Sequence, residues 1–155
     1  MPIISPQDRL TLQERFRKDL KRKITLRLFT QTMGQLFIPG RECPTCPQTQ
    51  QLLEELTSLS PMLELETVDF FNQSQKAQDS GVERIPAIVM ARGGASPTST
   101  GRVKYYGLPS GYEFLTIIED VIALSQPRTP LSADTRKKLK LVDQDVHIQV
   151  MVTPT

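Results

Sequence analysis

Residues 41–48 read RECPTCPQ, and this stretch holds Cys43 and Cys46, the two cysteines of a 155-residue chain. They are three positions apart, so one turn of helix can carry both, and a proline follows each of them. Cysteine pairs at this spacing serve either as a redox-active disulfide or as two ligands of a metal site. The fold and the function of the chain depend on which of these sites is present.

For the redox interpretation, we expect a helix that begins at Pro44, with Cys43 as its N-cap. The Cys43 sulfur would then lie at the positive end of the helix dipole, beside N–H groups that have no partner within the helix. Cysteines in such positions have a pKa of ~3.5–7.5 instead of ~8.5, which favours the reactive thiolate. Arg41 should lower the pKa of Cys43 further and Glu42 should raise it, and the sequence leaves their balance open.

The remaining residues of the motif complete such a site. Cys46 would lie one turn deeper on the same helix face, where it can attack a mixed disulfide formed at Cys43. We therefore expect Cys43 to be the nucleophile and Cys46 to be the resolving thiol. Pro44 is preset for the first helical turn, and Pro47 lacks the N–H that would bond to the Cys43 carbonyl. Thr45 completes the dipeptide between the cysteines, which tunes the reduction potential.

A metal site is the alternative for the same pair. Structural zinc takes about four ligands, commonly two cysteine pairs or one pair with two histidines. The chain has one cysteine pair and one histidine, His147, in a strand-like segment where an ordinary strand residue is the simpler interpretation. A zinc site or an iron–sulfur cluster would need carboxylates or a second chain, so we expect no metal and no cofactor besides the cysteine pair.

Composition limits the class of protein. The chain is 38% apolar and 23% charged, as expected for a soluble globular protein, and its net charge of +2 is too small to indicate nucleic acid or an anionic membrane. The start lacks the apolar segment of a signal peptide, and no run approaches the ~18 apolar residues of a membrane span. We therefore predict a cytoplasmic protein, where a close cysteine pair is more often catalytic or metal-binding than a structural staple.

Hydrophobic periodicity predicts a capped first helix followed by alternating strands and helices. Helices are predicted at 6–20, 44–60, 72–80 and 111–125, and strands at 24–30, 62–70, 85–91 and 102–107. Gly81 is expected to cap the third helix. Strands separated by helices pair in parallel, and the last two strands form an antiparallel hairpin. The predicted fold class is α/β: a mixed sheet with helices on both faces and an extra N-terminal helix.

The end of the chain repeats its beginning. Residues 132–155 contain a capped helix and then an alternating apolar strand, in the order and rough spacing of residues 5–32. We expect one unit at 1–126, a linker at 127–131, and at 132–155 the first helix and strand of a second, incomplete unit. An unpaired strand VHIQVMV would be an exposed apolar edge, so we also expect a homodimer through this C-terminal strand.

Four segments, together with the cysteines, carry a family resemblance. The CPTCP motif, followed by GVERIP at 81–86 before an apolar strand, resembles the thioredoxin/glutaredoxin superfamily. The first helix, YYGLPSGYEF at 105–114 and VDQDVHIQVMVTP at 142–154 are similar to the two-unit protein disulfide oxidoreductases of thermophilic prokaryotes, also called glutaredoxin-like proteins. The resemblance covers nearly the whole chain, and it implies a second CxxC beyond residue 155.

The resemblance implies a thioredoxin-like fold and a dithiol–disulfide oxidoreductase for protein disulfides. Its redox group would be the Cys43–Cys46 disulfide, with no other cofactor. Pro86 matches the proline that is cis in this superfamily and faces the cysteines, and the backbone of Ile85 would be free to pair with an extended substrate peptide. The implied partners are protein disulfide or dithiol substrates and a reductase such as a thioredoxin-reductase-like flavoprotein.

The chain also departs from the family pattern. No tryptophan precedes the CxxC, Thr45 replaces the tyrosine common in glutaredoxin-like sites, and the loop at 31–42 is longer than usual, with Leu36, Phe37 and Ile38 in it. This loop could cover the cysteines, restrict large substrates or dock partners. Two other functions stay open: a thioredoxin-like binding or scaffold unit with little chemistry, and an electron-relay domain for a peroxidase, similar to the N-terminal part of alkyl hydroperoxide reductase flavoproteins.

Overall fold

The structure is a computed structural model that describes residues 1–32, 40, 42–93 and 103–152. The body of the protein contains four helices and four strands within these ranges, and a further helix follows in the C-terminal tail. In chain order the elements are α1 (Pro6–Asp19), β1 (Ile24–Thr30), α2 (Cys46–Thr57), β2 (Leu63–Asp69), α3 (Ser74–Asp79), β3 (Ala87–Arg92), β4 (Val103–Tyr106), α4 (Tyr112–Ser125) and α5 (Ala133–Leu139).

The strands form one sheet in the order β2-β1-β3-β4. Strand β1 pairs in parallel with β2, from Ile24 opposite Leu63 to Thr30 opposite Asp69. The β1–β3 and β3–β4 pairs are antiparallel. The parallel pair follows from the α2 crossover, which returns the chain to the starting end of β1. The predicted mixed sheet is therefore confirmed.

Alternating side chains give the sheet two apolar faces, because successive residues of a strand point to opposite sides. One face packs against α1, α2 and α4, and its central strands contribute Ile24, Leu26, Leu28, Ile88 and Met90. The other face lies against α3 and the residues that follow it, and it contains Phe29, Val68, Ala77, Val82, Ala87 and Val89. Helices thus cover both faces, as predicted, and the extra helix α1 shares the first face with α2.

Local signals explain several boundaries. Ser5 accepts a hydrogen bond from the Asp8 N–H at 3.1 Å, which caps α1. Gly81 has a φ of +61°, and the next residue, Val82, donates its N–H to the Ala77 carbonyl at 2.8 Å, which ends α3. None of the described helices is long and apolar enough to cross a membrane.

The C-terminal tail differs from its prediction. Ser132 caps α5 by accepting the Thr135 N–H at 3.1 Å, as expected for the predicted helix. The predicted strand at 146–152 is not formed, and every side chain from 132 to 152 is exposed. A strand needs a neighbouring strand for its N–H and C=O groups, and no strand in the described part of this chain pairs with the tail. The division into two units stays a prediction.

Candidate active site

The two cysteines form a disulfide, with their Cα atoms 5.4 Å apart. Cys43 is half-buried in the segment before α2, whereas Cys46 is the first residue of α2 and only 1% exposed. An external thiol or disulfide can therefore approach Cys43 more readily than Cys46. This asymmetry suits a pair in which one sulfur reacts with a partner and the other acts from within.

The helix begins later than the sequence predicted. Thr45, not Cys43, is the N-cap, and the Cys46 N–H closes a turn onto the Cys43 carbonyl at 3.2 Å. The reason is Pro47, which has no N–H to donate to that carbonyl, so the first regular helical bond runs from the Thr49 N–H to the Thr45 carbonyl at 2.9 Å. The prediction that Cys43 caps a helix starting at Pro44 was therefore wrong.

Cys43 nevertheless stays close to the positive end of α2. It precedes the N-cap by two residues, and the first turn of the helix carries no acidic side chain. Once the disulfide is reduced, a thiolate at Cys43 would lie within one turn of the partial positive charge at the helix start. The dipole argument made from the sequence therefore still applies, although from a position outside the helix.

The topology brings Pro86 to the same edge of the sheet. Because α2 connects two parallel strands, it must begin beside the carboxyl end of β1. Strand β3 runs the opposite way, and its first residue, Ala87, pairs with Phe29 near that same end. The Ile85–Pro86 peptide bond is cis, with Ile85 half-buried and Pro86 buried. The predicted disulfide and substrate-binding residues thus share one edge.

The predicted site-shaping residues occupy different environments. Glu42, Pro44, Thr45 and Pro47 are exposed around the disulfide. Arg41 lies outside the described residues, as do Leu36, Phe37 and Ile38 of the long loop. Their predicted roles stay predictions.

Asp69 is a supporting residue that the sequence analysis missed. It ends β2 at the edge that carries the disulfide, and its carboxylate accepts N–H groups from Thr32 at 3.1 Å, Phe71 at 3.0 Å and Asn72 at 2.7 Å. Burial raises the pKa of Asp69, but the hydrogen bonds from Thr32, Asn72 and Phe71 outweigh it, so the pKa lies below its ordinary value. Asp69 ties the chain leaving β1 toward the cysteines to the end of β2.

A second support lies on the other side of the edge. The Arg84 guanidinium stacks 4.9 Å from the centre of the Tyr106 ring, and the Lys104 ammonium donates to the Gly81 carbonyl at 3.1 Å. The Gly107 N–H then donates to the Pro86 carbonyl at 2.9 Å. These contacts fasten the segment before β3 to β4. They join residues about twenty positions apart, and only the hairpin register could have revealed them.

Metal-binding residues do not gather in the part of the chain that the structure describes: it contains no group of three or more His, Cys, Asp or Glu able to hold an ion. His147 is exposed in the tail and belongs to no such group. The metal alternative therefore has no ligand set among these residues.

Comparison with known proteins identifies a sequence relative and two similar folds. The thioredoxin of Methanocaldococcus jannaschii is 28% identical over 89 residues, which cover 57% of this chain and 84% of that protein. A protein disulfide oxidoreductase from Aeropyrum pernix superposes with a TM-score of 0.72 at 23% identity, over 90% of this chain. The N-terminal domain of the alkylhydroperoxide reductase AhpF from Enterococcus faecalis superposes with a TM-score of 0.70 at 24% identity, over 87% of this chain.

The match covers only part of the two structures. This chain spans 55% of the Aeropyrum chain and 59% of the Enterococcus chain. No protein-family model matches the sequence. The superpositions on the two structures, at less than 25% identity, show the fold alone, and the thioredoxin adds a likeness of sequence.

Proposed function

We propose that this chain, which belongs to the thioredoxin/glutaredoxin superfamily, is a dithiol–disulfide oxidoreductase that acts on protein disulfides. The observation that carries the proposal is the Cys43–Cys46 disulfide, in which Cys43 is half-buried and Cys46 is buried at the start of α2. Exchange with a partner requires one sulfur that can be reached from outside, whereas a structural staple does not. We place the reaction in the cytoplasm, where close cysteine pairs are more often catalytic than structural.

In the reducing direction, the Cys43 thiolate attacks one sulfur of the substrate disulfide. A Cys43–substrate mixed disulfide forms, and the other substrate sulfur leaves as a thiolate. The Cys46 thiolate then attacks the Cys43 sulfur, which forms the Cys43–Cys46 disulfide and releases the second substrate sulfur. Both substrate thiolates take protons from water, and two electrons have passed from the chain to the substrate. The same steps in reverse oxidise a substrate dithiol.

The residues around the disulfide support an extended peptide as the substrate. Ile85 and Pro86 lie at the same edge as the cysteines, and the hydrogen bond from the Gly107 N–H to the Pro86 carbonyl holds them there. Their backbone can therefore serve as one side of a peptide-binding surface. The oxidised chain must then recover two electrons. We propose a thioredoxin-reductase-like flavoprotein as the donor.

Single cysteine variants test this function. With insulin as the disulfide substrate and dithiothreitol as the reductant, we expect Cys43→Ser to fall to the uncatalysed rate. Cys46→Ser, reduced beforehand and mixed with insulin after the dithiothreitol has been removed, should instead accumulate a mixed disulfide that intact-protein mass spectrometry detects. The two variants control each other, because a buried Cys46 alone should trap little substrate. Normal turnover by either variant would contradict the proposal.

An electron relay to a peroxidase is the second candidate. The observation that favours it is the likeness of the fold to the N-terminal domain of AhpF. A relay would reduce one peroxidase quickly and insulin slowly, so the ratio of these two rates separates the candidates. A scaffold unit would reduce neither and would bind its partners whether or not the disulfide is reduced.

The exposed tail supports a further part of the proposal. Apolar side chains recur through residues 146–152, and every side chain of this segment is exposed in the single chain. We propose that this segment pairs with its copy in a homodimer, since an unpaired apolar strand readily adds to another chain.

A further inference from the structure

Among the residues that the structure describes, one buried side-chain hydroxyl has no hydrogen-bond partner, and it belongs to Thr30. Thr30 is 1% exposed, so bulk water does not reach it either. Other buried hydroxyls are bonded: Thr49 donates to the Thr45 carbonyl at 2.8 Å, and Ser125 donates to the Ile122 carbonyl at 2.7 Å. A buried hydroxyl without a partner loses its hydration and gains nothing in return, so its presence needs a reason.

The strand register places Thr30 within the candidate active site. Thr30 is the last residue of β1, at the edge of the sheet that carries the disulfide. On one side it pairs with Asp69, the last residue of β2. On the other side, the register that pairs Phe29 with Ala87 brings Thr30 next to Pro86. Thr30 therefore lies between the end of β2 and the proline of the candidate site.

The side chain of Thr30 points to the sheet face that α2 covers. Successive residues of a strand point to opposite faces. Leu26 and Leu28 belong to the core that packs against α1, α2 and α4, whereas Phe29 belongs to the core on the other face. Helix α2 begins beside this end of β1 with Cys46, which is 1% exposed. The unpaired hydroxyl and the buried sulfur therefore occupy the same end of the same helix–sheet layer.

The buried sulfur needs a hydrogen-bond donor once the disulfide is reduced. In the disulfide it is a neutral and weak acceptor, but to resolve a mixed disulfide Cys46 must attack the Cys43 sulfur as a thiolate. Burial in apolar surroundings raises the pKa of a thiol, whereas a hydrogen bond donated to the thiolate lowers it. The hydroxyl of Thr49, one turn further along α2, is already bonded to the Thr45 carbonyl. The hydroxyl of Thr30 is free to serve as this donor.

We propose that the Thr30 hydroxyl donates a hydrogen bond to the Cys46 sulfur when the disulfide is reduced. The inference rests on the proposed function and adds a residue that assists its second exchange step. Thr30 transfers neither a proton nor an electron, because its proton stays on the oxygen while the sulfur attacks. Since the hydroxyl is unpaired in the oxidised chain and paired in the reduced one, it shifts the equilibrium toward the dithiol.

Three substitutions test this role. Thr30→Val removes the hydroxyl and keeps nearly the same side-chain shape, and Thr30→Ser restores the hydroxyl. Thr49→Val is the matched control, because it removes a hydroxyl that is equally buried but already bonded.

The redox equilibrium gives the first measurement. In glutathione buffers at pH 7, Thr30→Val should shift the equilibrium about tenfold toward the disulfide, which lowers the reduction potential by about 30 mV. Thr30→Ser and Thr49→Val should stay close to wild type. An unchanged equilibrium in Thr30→Val, or an equal shift in Thr49→Val, would overturn the inference.

Urea denaturation of both redox forms excludes a purely structural role. We expect Thr30→Val to lower the urea midpoint of the reduced chain and not that of the oxidised chain, since the hydroxyl has no partner to lose in the disulfide form. Equal losses in the two forms would show that Thr30 acts through packing, and would overturn the inference.

The second exchange step can be timed separately. The reduced chain, mixed with equimolar 5,5′-dithiobis(2-nitrobenzoate), releases thionitrobenzoate first through Cys43 and then through the attack of Cys46 on the mixed disulfide. Thr30→Val should leave the first step unchanged and slow the second about threefold, because a tenfold smaller thiolate fraction is partly offset by the greater nucleophilicity of a more basic thiolate. Equal slowing of both steps would contradict a bond to Cys46.

A titration of Cys46 alone separates this inference from the proposed function. In Cys43→Ser, the ultraviolet absorbance of the thiolate reports the pKa of Cys46, and adding Thr30→Val should raise that pKa by about one unit. If the pKa rises in this way but no protein disulfide is exchanged, the proposed function fails and the role of Thr30 stands. If exchange proceeds and the pKa does not change, the role of Thr30 fails and the function stands.

Discussion

The body and the tail of this protein carry the same sequence pattern, a serine-capped helix followed by alternating apolar residues, but a strand forms only in the body. In the body, α1 buries Leu12 and Phe16, and β1 pairs on both of its edges. In the tail, α5 buries no residue, and the segment after it is exposed and unpaired. Both begin with a serine cap whose oxygen accepts an N–H at 3.1 Å. Local signals are therefore enough to start a helix, but a strand forms only where another strand receives it.

The largest expected difference concerns the strands. Leu26 is the third residue of β1 and Ile148 is the third residue of the predicted tail strand, and they are 0% and 81% exposed. Leu26→Asp would bury an unpaired carboxylate in the core, so we expect a loss of more than about 4 kcal/mol in the free energy of unfolding. Ile148→Asp should change it by less than about 0.5 kcal/mol. Urea denaturation followed by circular dichroism measures both.

The same pair tests the proposed homodimer. Ile148→Asp should shift the sedimentation equilibrium toward monomer, because a charge on the exposed strand opposes strand addition. A monomeric wild-type chain would contradict the dimer. A large loss of stability in Ile148→Asp would show that the tail packs on the body after all.

Asp69 gives the next largest effect and connects stability with pH. Asp69→Asn removes the charge that accepts three N–H groups, so we expect a loss of about 1–3 kcal/mol at pH 7. The folded pKa lies below the ordinary value of 3.8, so this contribution is present at neutral pH and is lost as pH falls through that range. The difference in the free energy of unfolding between wild type and Asp69→Asn, measured by urea titration, should therefore be smaller at pH 3 than at pH 7. A constant gap would mean that the charge does not matter.

The smallest effect concerns the matching helix caps. Ser5→Ala should lower the global free energy of unfolding by about 1 kcal/mol, because α1 packs on the core. Ser132→Ala should leave it unchanged, because α5 buries nothing, while lowering the local protection of the α5 amides in hydrogen exchange. Equal global losses would show that the tail and the body unfold together.

Much of this fold could be predicted because its signals are local. The bounds of β1 follow from alternation at 24–30, and the end of α3 follows from a glycine at 81. The start of α2 was missed by two residues, since Pro47 delays the first helical bond. The tail strand was predicted but is not formed, because alternation describes a preference and pairing depends on a neighbouring strand.

The residues of the candidate site show the same difference between local and long-range signals. The cysteines and Pro86 carry recognisable motifs, so the sequence alone identified them. Asp69 and the Arg84–Tyr106 contact act through partners set by the strand register, and nothing near them in the sequence marks them. The sequence left three roles open for the loop at 31–42, and most of this loop lies outside the described residues.

The redox equilibrium of Cys43 and Cys46 tests the central claim most directly. The chain is equilibrated in glutathione buffers of increasing potential, free thiols are alkylated, and intact mass counts them. We predict a single two-electron transition between the dithiol and the disulfide, within the range of about −270 to −120 mV covered by known dithiol proteins. A disulfide that stays closed across the whole range, or thiols that never pair, would contradict a redox role for this site.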